Sequence, residues 1–267
     1  MDDRDEPGHD EFVETLIVPI PISDRPPLLR VSELAKRFGE IVVADGVSFE
    51  LARGECLGVI GPNGAGKSSL LNLIVGLLTT DGGSIMLDDK EITGLPPHQR
   101  ARMGLGRAFQ IPQPFPHLSV YENALVAASY GAGLYGEAAS NWTMEVLQRT
   151  GLDAKADKLA GALPLIDRKR LEFAKALASK PKLILLDEIA AGLTEPEVER
   201  LVAIIKSVKA DHAMIWIEHI PHALRAVSDR ILVLDFGRKV LEGPPAEVMD
   251  SAVVREIYMG LKADGVA

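Results

Sequence analysis

The chain has one cysteine, few aromatic residues, no excess of positive charge and no long apolar run. Each shortage excludes something. Cys56 alone cannot close an internal disulfide, and it sits in an apolar, strand-like run, which fits a reducing compartment. No stretch approaches the roughly 18–20 apolar residues that a membrane-spanning helix needs. The run ETLIVPIPI near the start is too short, and too broken by proline, to be a span or a signal peptide. A formal net charge of −9 argues against nucleic acid as a partner, because phosphate backbones are bound by clustered Lys and Arg. The basic run Arg168-Lys169-Arg170 lies in a helical pattern and reads as a solvated face.

What is present is a soluble-type composition, 47% hydrophobic and 25% charged over 267 residues, enough for one large domain or two small lobes sharing a core. Residues 1–27, acidic and proline-rich, are expected to form a poorly ordered extension. From Leu28 short β-type runs follow, LLRVSEL, VVADGVSFEL, GECLGVIGP and GSIMLDDKEITG, and predict a partly antiparallel β layer. After Gln110 the spacing turns helical in SVYENALVAASYGAG and ASNWTMEVLQRTGL, with Ser119 and Glu122 as a capping box. The last third alternates helix and strand: a helix from about Asp167, KLILLDE, a helix from Glu195, MIWIEH, PHALRAV and RILVLDFG. That alternation predicts a parallel sheet between helices, and no internal repeat is present.

GPNGAGKSS carries the clearest chemistry. Gly61, Gly66, Lys67 and Ser68 match G-x-x-x-x-G-K-[ST] between the strand CLGVI and the helix SSLLNLIVGLL. Glycines let backbone N–H groups curl around phosphate, and a helix N-terminus adds positive potential. The segment Gly61, Pro62, Asn63, Gly64, Ala65, Gly66, Lys67, Ser68 and Ser69 is therefore the nucleotide-binding candidate, with Lys67 on the terminal phosphates and Ser68 as a Mg²⁺ ligand. LILLDE is an apolar strand ending in two acids; Asp187 can hold Mg²⁺ through water, and Glu188 can orient or deprotonate an attacking water.

The order phosphate loop, RAFQ, helical insert, RKRLEFAKALASKPKLILLDE, AGLTEPE and IEH resembles an ABC-type ATPase subunit over nearly all of residues 28–245. The resemblance implies ATP and Mg²⁺ as cofactors and an α/β P-loop NTPase fold: a RecA-like parallel sheet, an antiparallel β subdomain and an α-helical subdomain near residues 111–165. It places Phe38 where the family stacks an aromatic on adenine, although a core phenylalanine is an equal reading. It places Gln110 where a glutamine reaches Mg²⁺ and the γ-phosphate, and His219 where a histidine contacts γ-phosphate and water. A purely structural His219, or a metal pair with His222, are the alternatives, and no third ligand is evident. AGLTEPE corresponds to the family's dimer-interface loop, where Thr194 replaces Asp or Asn but can still cap a helix with Glu197.

GLGRAFQIPQPFPHLSVYENALVAA and the tail GPPAEVMDSAVVREIYMG are similar to the ATPases of branched-chain amino-acid-type importers. That group implies transmembrane permeases, a second ATPase subunit (a heterodimer rather than a homodimer), a solute-binding protein, work at the cytoplasmic face of the membrane and a helical tail over 246–267. A soluble ABC ATPase without transport, or a binding-only regulatory subunit, remain as other readings.

One segment departs from the family. Its signature loop, Leu-Ser-Gly-Gly-Gln, is here Leu163, Pro164, Leu165, Ile166 and Asp167. Proline brings no hydroxyl and no N–H, the bulky residues lose glycine's freedom, and Asp167 is expected to start the helix and set negative charge near phosphate. Either the loop tolerates this and the helix dipole suffices, or the chain carries one weakened half-site.

Overall fold

The computed structural model describes residues 25–259. Residues 1–24, most of the expected extension, and 260–267, with the glycine that ends the tail motif, lie outside the described residues.

The chain opens with long strands β1 (Pro27–Phe38) and β2 (Ile41–Ala52), then β3 (Cys56–Ile60) runs straight into the phosphate loop and α1 (Lys67–Val75). β4 (Gly82–Leu87), β5 (Lys90–Glu91), α2 (Pro97–Arg102) and β6 (Leu105–Ala108) follow. Helices α3 (Val120–Tyr130), α4 (Gly136–Arg149) and α5 (Leu165–Ala178) form one consecutive block. The remainder alternates as expected: β7 (Leu183–Asp187), α6 (Glu195–Val208), β8 (Ala213–Ile217), α7 (Pro221–Val227), β9 (Arg230–Asp235), β10 (Arg238–Gly243), α8 (Pro245–Met249) and α9 (Ala252–Met259).

Two sheets result. An antiparallel one has the order β2-β1-β4-β5, and a larger one has the order β10-β9-β3-β8-β7-β6, parallel except for its β10 edge. The α/β fold with an antiparallel β layer and a helical block is that of a P-loop NTPase. Strands of the parallel sheet are buried on both faces, which is why β3, β7 and β8 read as continuous apolar runs. Successive residues still divide between faces: Ile184 and Leu186 join Met214 and Trp216 in the core under the helices. Leu183 and Leu185 join Ile215 in the core shared with α1 and the antiparallel sheet.

Register positions the site. Val59 of β3 and Asp187 of β7 both pair with Ile217 of β8, and Ala108 of β6 pairs with Leu186. Because these strands are parallel, whatever follows each of them emerges on one edge, the usual ligand crevice of open α/β sheets. Gly61, Gln110, Glu188 and His219 are those followers.

Local signals behave as their chemistry requires. The Ser119 hydroxyl accepts from the Glu122 N–H at 3.0 Å while the Glu122 carboxylate accepts from the Ser119 N–H at 2.7 Å. At α6 the Glu197 carboxylate accepts from both the N–H and the hydroxyl of Thr194, each at 2.8 Å. Two expectations are corrected. α5 begins at Leu165 on an extended Pro164, two residues before Asp167, because proline's fixed φ suits the residue just outside a helix and leaves no donor unmet there. The basic run is not a solvated face: Lys169 is buried, and the Arg168 guanidinium donates back to the Leu163 and Gly161 carbonyls at 2.7 and 3.1 Å.

Candidate functional site

The phosphate loop is shaped by close backbone approach. Gly64 and Gly66 have φ of 82° and 98°, in the left-handed region, and a Cβ on Gly66 would collide with the Val43 carbonyl. Gly66 is also the N-cap of α1 and offers no side-chain cap, so the first N–H groups, those of Lys67, Ser68 and Ser69, remain open to an anion. Pro62, Asn63 and Gly64 lie on the accessible side of the loop, while Ala65 is buried beneath it. Lys67 folds over the loop, its Nζ donating to the carbonyls of Gly61 at 2.8 Å and Pro62 at 2.9 Å. Burial holds its ammonium below the ordinary lysine value, with Glu188 and Asp187 opposing the shift. Carbonyl dipoles are its hydrogen-bond partners here, so the cation keeps capacity for a stronger, anionic acceptor.

Ser68 and Asp187 come together across 119 residues of sequence: the hydroxyl donates to Asp187 Oδ1 at 3.3 Å. A hydroxyl and a carboxylate are hard oxygen donors, which fits Mg²⁺ rather than a soft metal. Gln110, the third expected ligand, is not on this pair. Its Nε2 donates to Glu188 Oε2 at 2.6 Å. The other Glu188 oxygen accepts from His219 Nε2 at 2.9 Å, which makes that ring nitrogen the protonated one. Gln110, Glu188 and His219 thus form one hydrogen-bonded chain. Glu188 itself sits at φ 46°, an uncommon conformation for a residue with a side chain, and its N–H is fixed on the Ile217 carbonyl at 2.9 Å.

Phe38 ends β1 with 48% exposure, so the core reading of that ring is set aside; Lys36 Nζ lies 5.2 Å from its centroid. His222 is not a partner of His219 but pairs with Glu195 at 3.0 Å. No group of three or more His, Cys, Asp or Glu side chains placed to hold a metal occurs among the described residues.

Several contributors escaped the sequence reading. Arg107 donates to Asp187 Oδ2 at 2.7 Å in a buried ion pair. Glu218 is buried and accepts from the N–H groups of His219 and Ala190 at 2.9 and 3.1 Å, fixing the loop that carries His219. Burial pushes its carboxyl above the ordinary glutamate value against the pull of those bonds. Lys169, from α5, donates to the Gln110 carbonyl, and burial lowers its ammonium against the pull of Glu218, Glu188 and Glu172. Lys175 and Glu172 hold Gln113 from the same helix, at 2.9 and 3.1 Å. The only local hint of these links was the helical spacing of Lys169, Glu172 and Lys175, which put them on one face.

The Leu163–Asp167 segment contrasts with all of this. Pro164 caps α5 without a side-chain bond, and Leu165 is 44% exposed at the helix tip. Asp167 does not add negative charge there, as the sequence suggested. It is buried, ion-paired with Lys155 and 3.6 Å from Arg170, because the helix turn points it into the helical block.

Comparisons with known proteins identify the family. The family model described as ABC transporter matches residues 44–191. The chain is 34% identical over 254 residues to the high-affinity branched-chain amino acid transport ATP-binding protein BraF of Pseudomonas aeruginosa, covering 88% of this chain and 98% of that protein. It is 33% identical over 233 residues to the lipopolysaccharide export system ATP-binding protein LptB of Escherichia coli, covering 87% and 97%. Among solved structures it resembles a nucleotide-free ATP-binding cassette from an ABC transporter, with TM-score 0.81, 29% identity and coverage of 88% and 100%. An ADP-bound cassette gives TM-score 0.79, 29% identity, and the same coverage. With a family match over more than half its length and relatives covered almost end to end, the chain belongs to the ATP-binding subunits of the ABC transporter family.

Proposed function

We propose that the chain is the ATP-hydrolysing subunit of an importer for branched-chain amino acids or related small polar or amide solutes. The observation that supports this most strongly is the hydrogen-bonded chain Gln110–Glu188–His219 beside an uncapped helix N-terminus. A binding-only subunit has no use for a carboxylate oriented by two donors. In this reading the N–H groups of Gly61–Ser69 cradle the phosphates and Lys67 exchanges its carbonyl partners for phosphate oxygens. Phe38 stacks on adenine. Glu188 accepts the proton of the attacking water as general base, and His219 and Gln110 orient it. Ser68 and Asp187 would hold Mg²⁺, which when bound neutralises phosphate charge, and Gln110 would join them only by leaving Glu188.

Residues 28–245 act as the ATPase domain, 111–165 as its helical lobe and 246–267 as a tail. Two such subunits close on ATP and pass the motion to transmembrane permeases at the cytoplasmic face, served by a solute-binding protein. Among the described residues no helix is long and apolar enough to cross a membrane, in keeping with a peripheral subunit. The identities to import and export proteins are nearly equal, so the importer reading leans on the tail GPPAEVMDSAVVREIYMG. The α5 tip, lacking hydroxyl and glycines, makes this chain the weak half of one composite site, so a second, different ATPase is the favoured partner.

Glu188→Gln tests the enzyme reading. Turnover should fall by about 10²–10⁴-fold while ATP stays bound. Unchanged turnover would remove Glu188 from its role, and lost ATP binding would make it a structural residue. Fractionation with membranes in the presence of permeases separates a transporter subunit from a soluble ABC ATPase.

A further inference from the structure

We infer that Arg107 is a positioning residue for the metal: it fixes the plane of the Asp187 carboxylate, and Mg²⁺ uptake at Ser68 and Asp187 depends on it. This rests on the ATPase reading above.

Arg107 sits in β6, the edge strand of the parallel sheet, and its side chain is 8% exposed. One guanidinium nitrogen donates to Asp187 Oδ2 at 2.7 Å, and the other donates to Asn72 Oδ1 at 2.6 Å. The guanidinium carbon lies 4.6 Å from the centre of the Phe109 ring. A single side chain therefore ties together α1, which carries the phosphate loop, β7, which ends in Asp187, and the strand that leads to Gln110. Its planar fork suits this, since two acceptors on different elements are met at once.

Stability alone gives no reason for the pair. A buried ion pair is often replaced by apolar side chains at no loss, and the other residues of β6, Leu105, Gly106 and Ala108, are all uncharged. Position does give a reason. The Ser68 bond to Oδ1 is long, at 3.3 Å, and would leave the carboxylate free to rotate. With Oδ2 held by Arg107, Oδ1 is kept facing Ser68. The cation opposes metal binding by charge, but it sits on the far oxygen. Partners that orient a metal's ligands typically contribute about 10–100-fold in affinity, and that effect prevails here.

The test uses the full chain with a non-hydrolysable ATP analogue and Mn²⁺ as a paramagnetic stand-in for Mg²⁺. Electron spin resonance reads Mn²⁺ binding, and a fluorescent ATP analogue in EDTA reads metal-free nucleotide affinity. Arg107→Gln should weaken Mn²⁺ by about 10–100-fold and leave the EDTA affinity as in the wild type. Arg107→Lys, which keeps the charge but not the fork, should fall between. Wild-type Mn²⁺ binding in Arg107→Gln would overturn the inference, and so would an equal loss of nucleotide with and without metal, the mark of a merely structural role. If Arg107→Gln fails to fold, Asn72→Ala removes the guanidinium's other anchor and should weaken Mn²⁺ by about 2–10-fold, and no change would overturn the inference. A wild-type chain that takes up neither nucleotide nor Mn²⁺ would instead refute the ATPase reading and this inference with it.

Discussion

At the carboxyl ends of β6, β7 and β8, polar side chains interlock: Gln110 and His219 both hold Glu188, and Arg107 and Ser68 both hold Asp187. At the N-terminus of α5 there is no such order. Pro164 has no donor, Leu165 faces outward, and the one acid of the segment, Asp167, is turned into the interior. The same chain thus has a hydrogen-bonded cluster of polar side chains at one end of its sheet and a tip whose remaining asset is the helix dipole. In the function proposed above, the two halves serve different nucleotides in a sandwich of two subunits, and the contrast is then a division of labour. It also removes one objection to the tip, since the Asp167 charge is spent on Lys155 and Arg170. What the tip lacks is a hydroxyl and freely curling amides.

The contrast can be broken first on its ordered side. His219→Ala should lower turnover by about 10²-fold, with ATP affinity much less changed, because in the proposed mechanism the histidine orients water rather than accepting the proton. Single-turnover rates against ATP binding check this; a parallel loss of both would make His219 a structural residue. A smaller effect is expected where α5 meets the catalytic edge. Lys169→Met keeps length but removes the donor to the Gln110 carbonyl, and should cost about 1–3 kcal/mol. In a domain of this size that is a fall of about 2–4 °C in melting temperature for each kcal/mol, readable by calorimetry. An unchanged melting temperature would mean that α5 and Gln110 are not linked in this way.

The smallest effect is a pH dependence at Glu218. Its folded-state carboxyl is held above the ordinary glutamate value, chiefly by burial. The unfolded chain therefore gives up its proton first as pH rises. The stability this contributes is complete below the ordinary value and is lost as pH rises through the raised one. Glu218→Gln carries no such term, so the wild type should lose stability relative to the variant across that window. Denaturant midpoints of both proteins at a series of pH values would show it, and parallel curves would contradict it.

How far the sequence spoke depended on where the chemistry resides. The phosphate loop was legible because backbone curvature demands glycine at Gly64 and Gly66, whatever surrounds them. Asp187 and Glu188 stood out only because a phosphate loop precedes them, since two acids closing an apolar strand would alone read as an ordinary polar turn. Arg107 looked like any strand residue, since its partners Asn72 and Asp187 lie 35 and 80 residues away in sequence. Lys169 was misread for a related reason: charge runs are usually solvated, and only packing of α5 against the Gln110 loop buries it. Asp167 was placed near phosphate because alignment gives position along a helix but not the direction a side chain leaves it. Cys56 held nothing further: burial pushes its thiol up to about 12, which makes it inert.

The division of labour is tested most directly by mixing two forms of this one chain. One is the wild type, with a competent Glu188 and a bare α5 tip. The other carries Pro164→Ser, Leu165→Gly and Ile166→Gly together with Glu188→Gln, so that it offers a restored tip and no general base. If the account is right, each protein alone hydrolyses ATP slowly and the mixture hydrolyses it faster than either. Strong, cooperative hydrolysis by the wild type alone, with no gain on mixing, would contradict it.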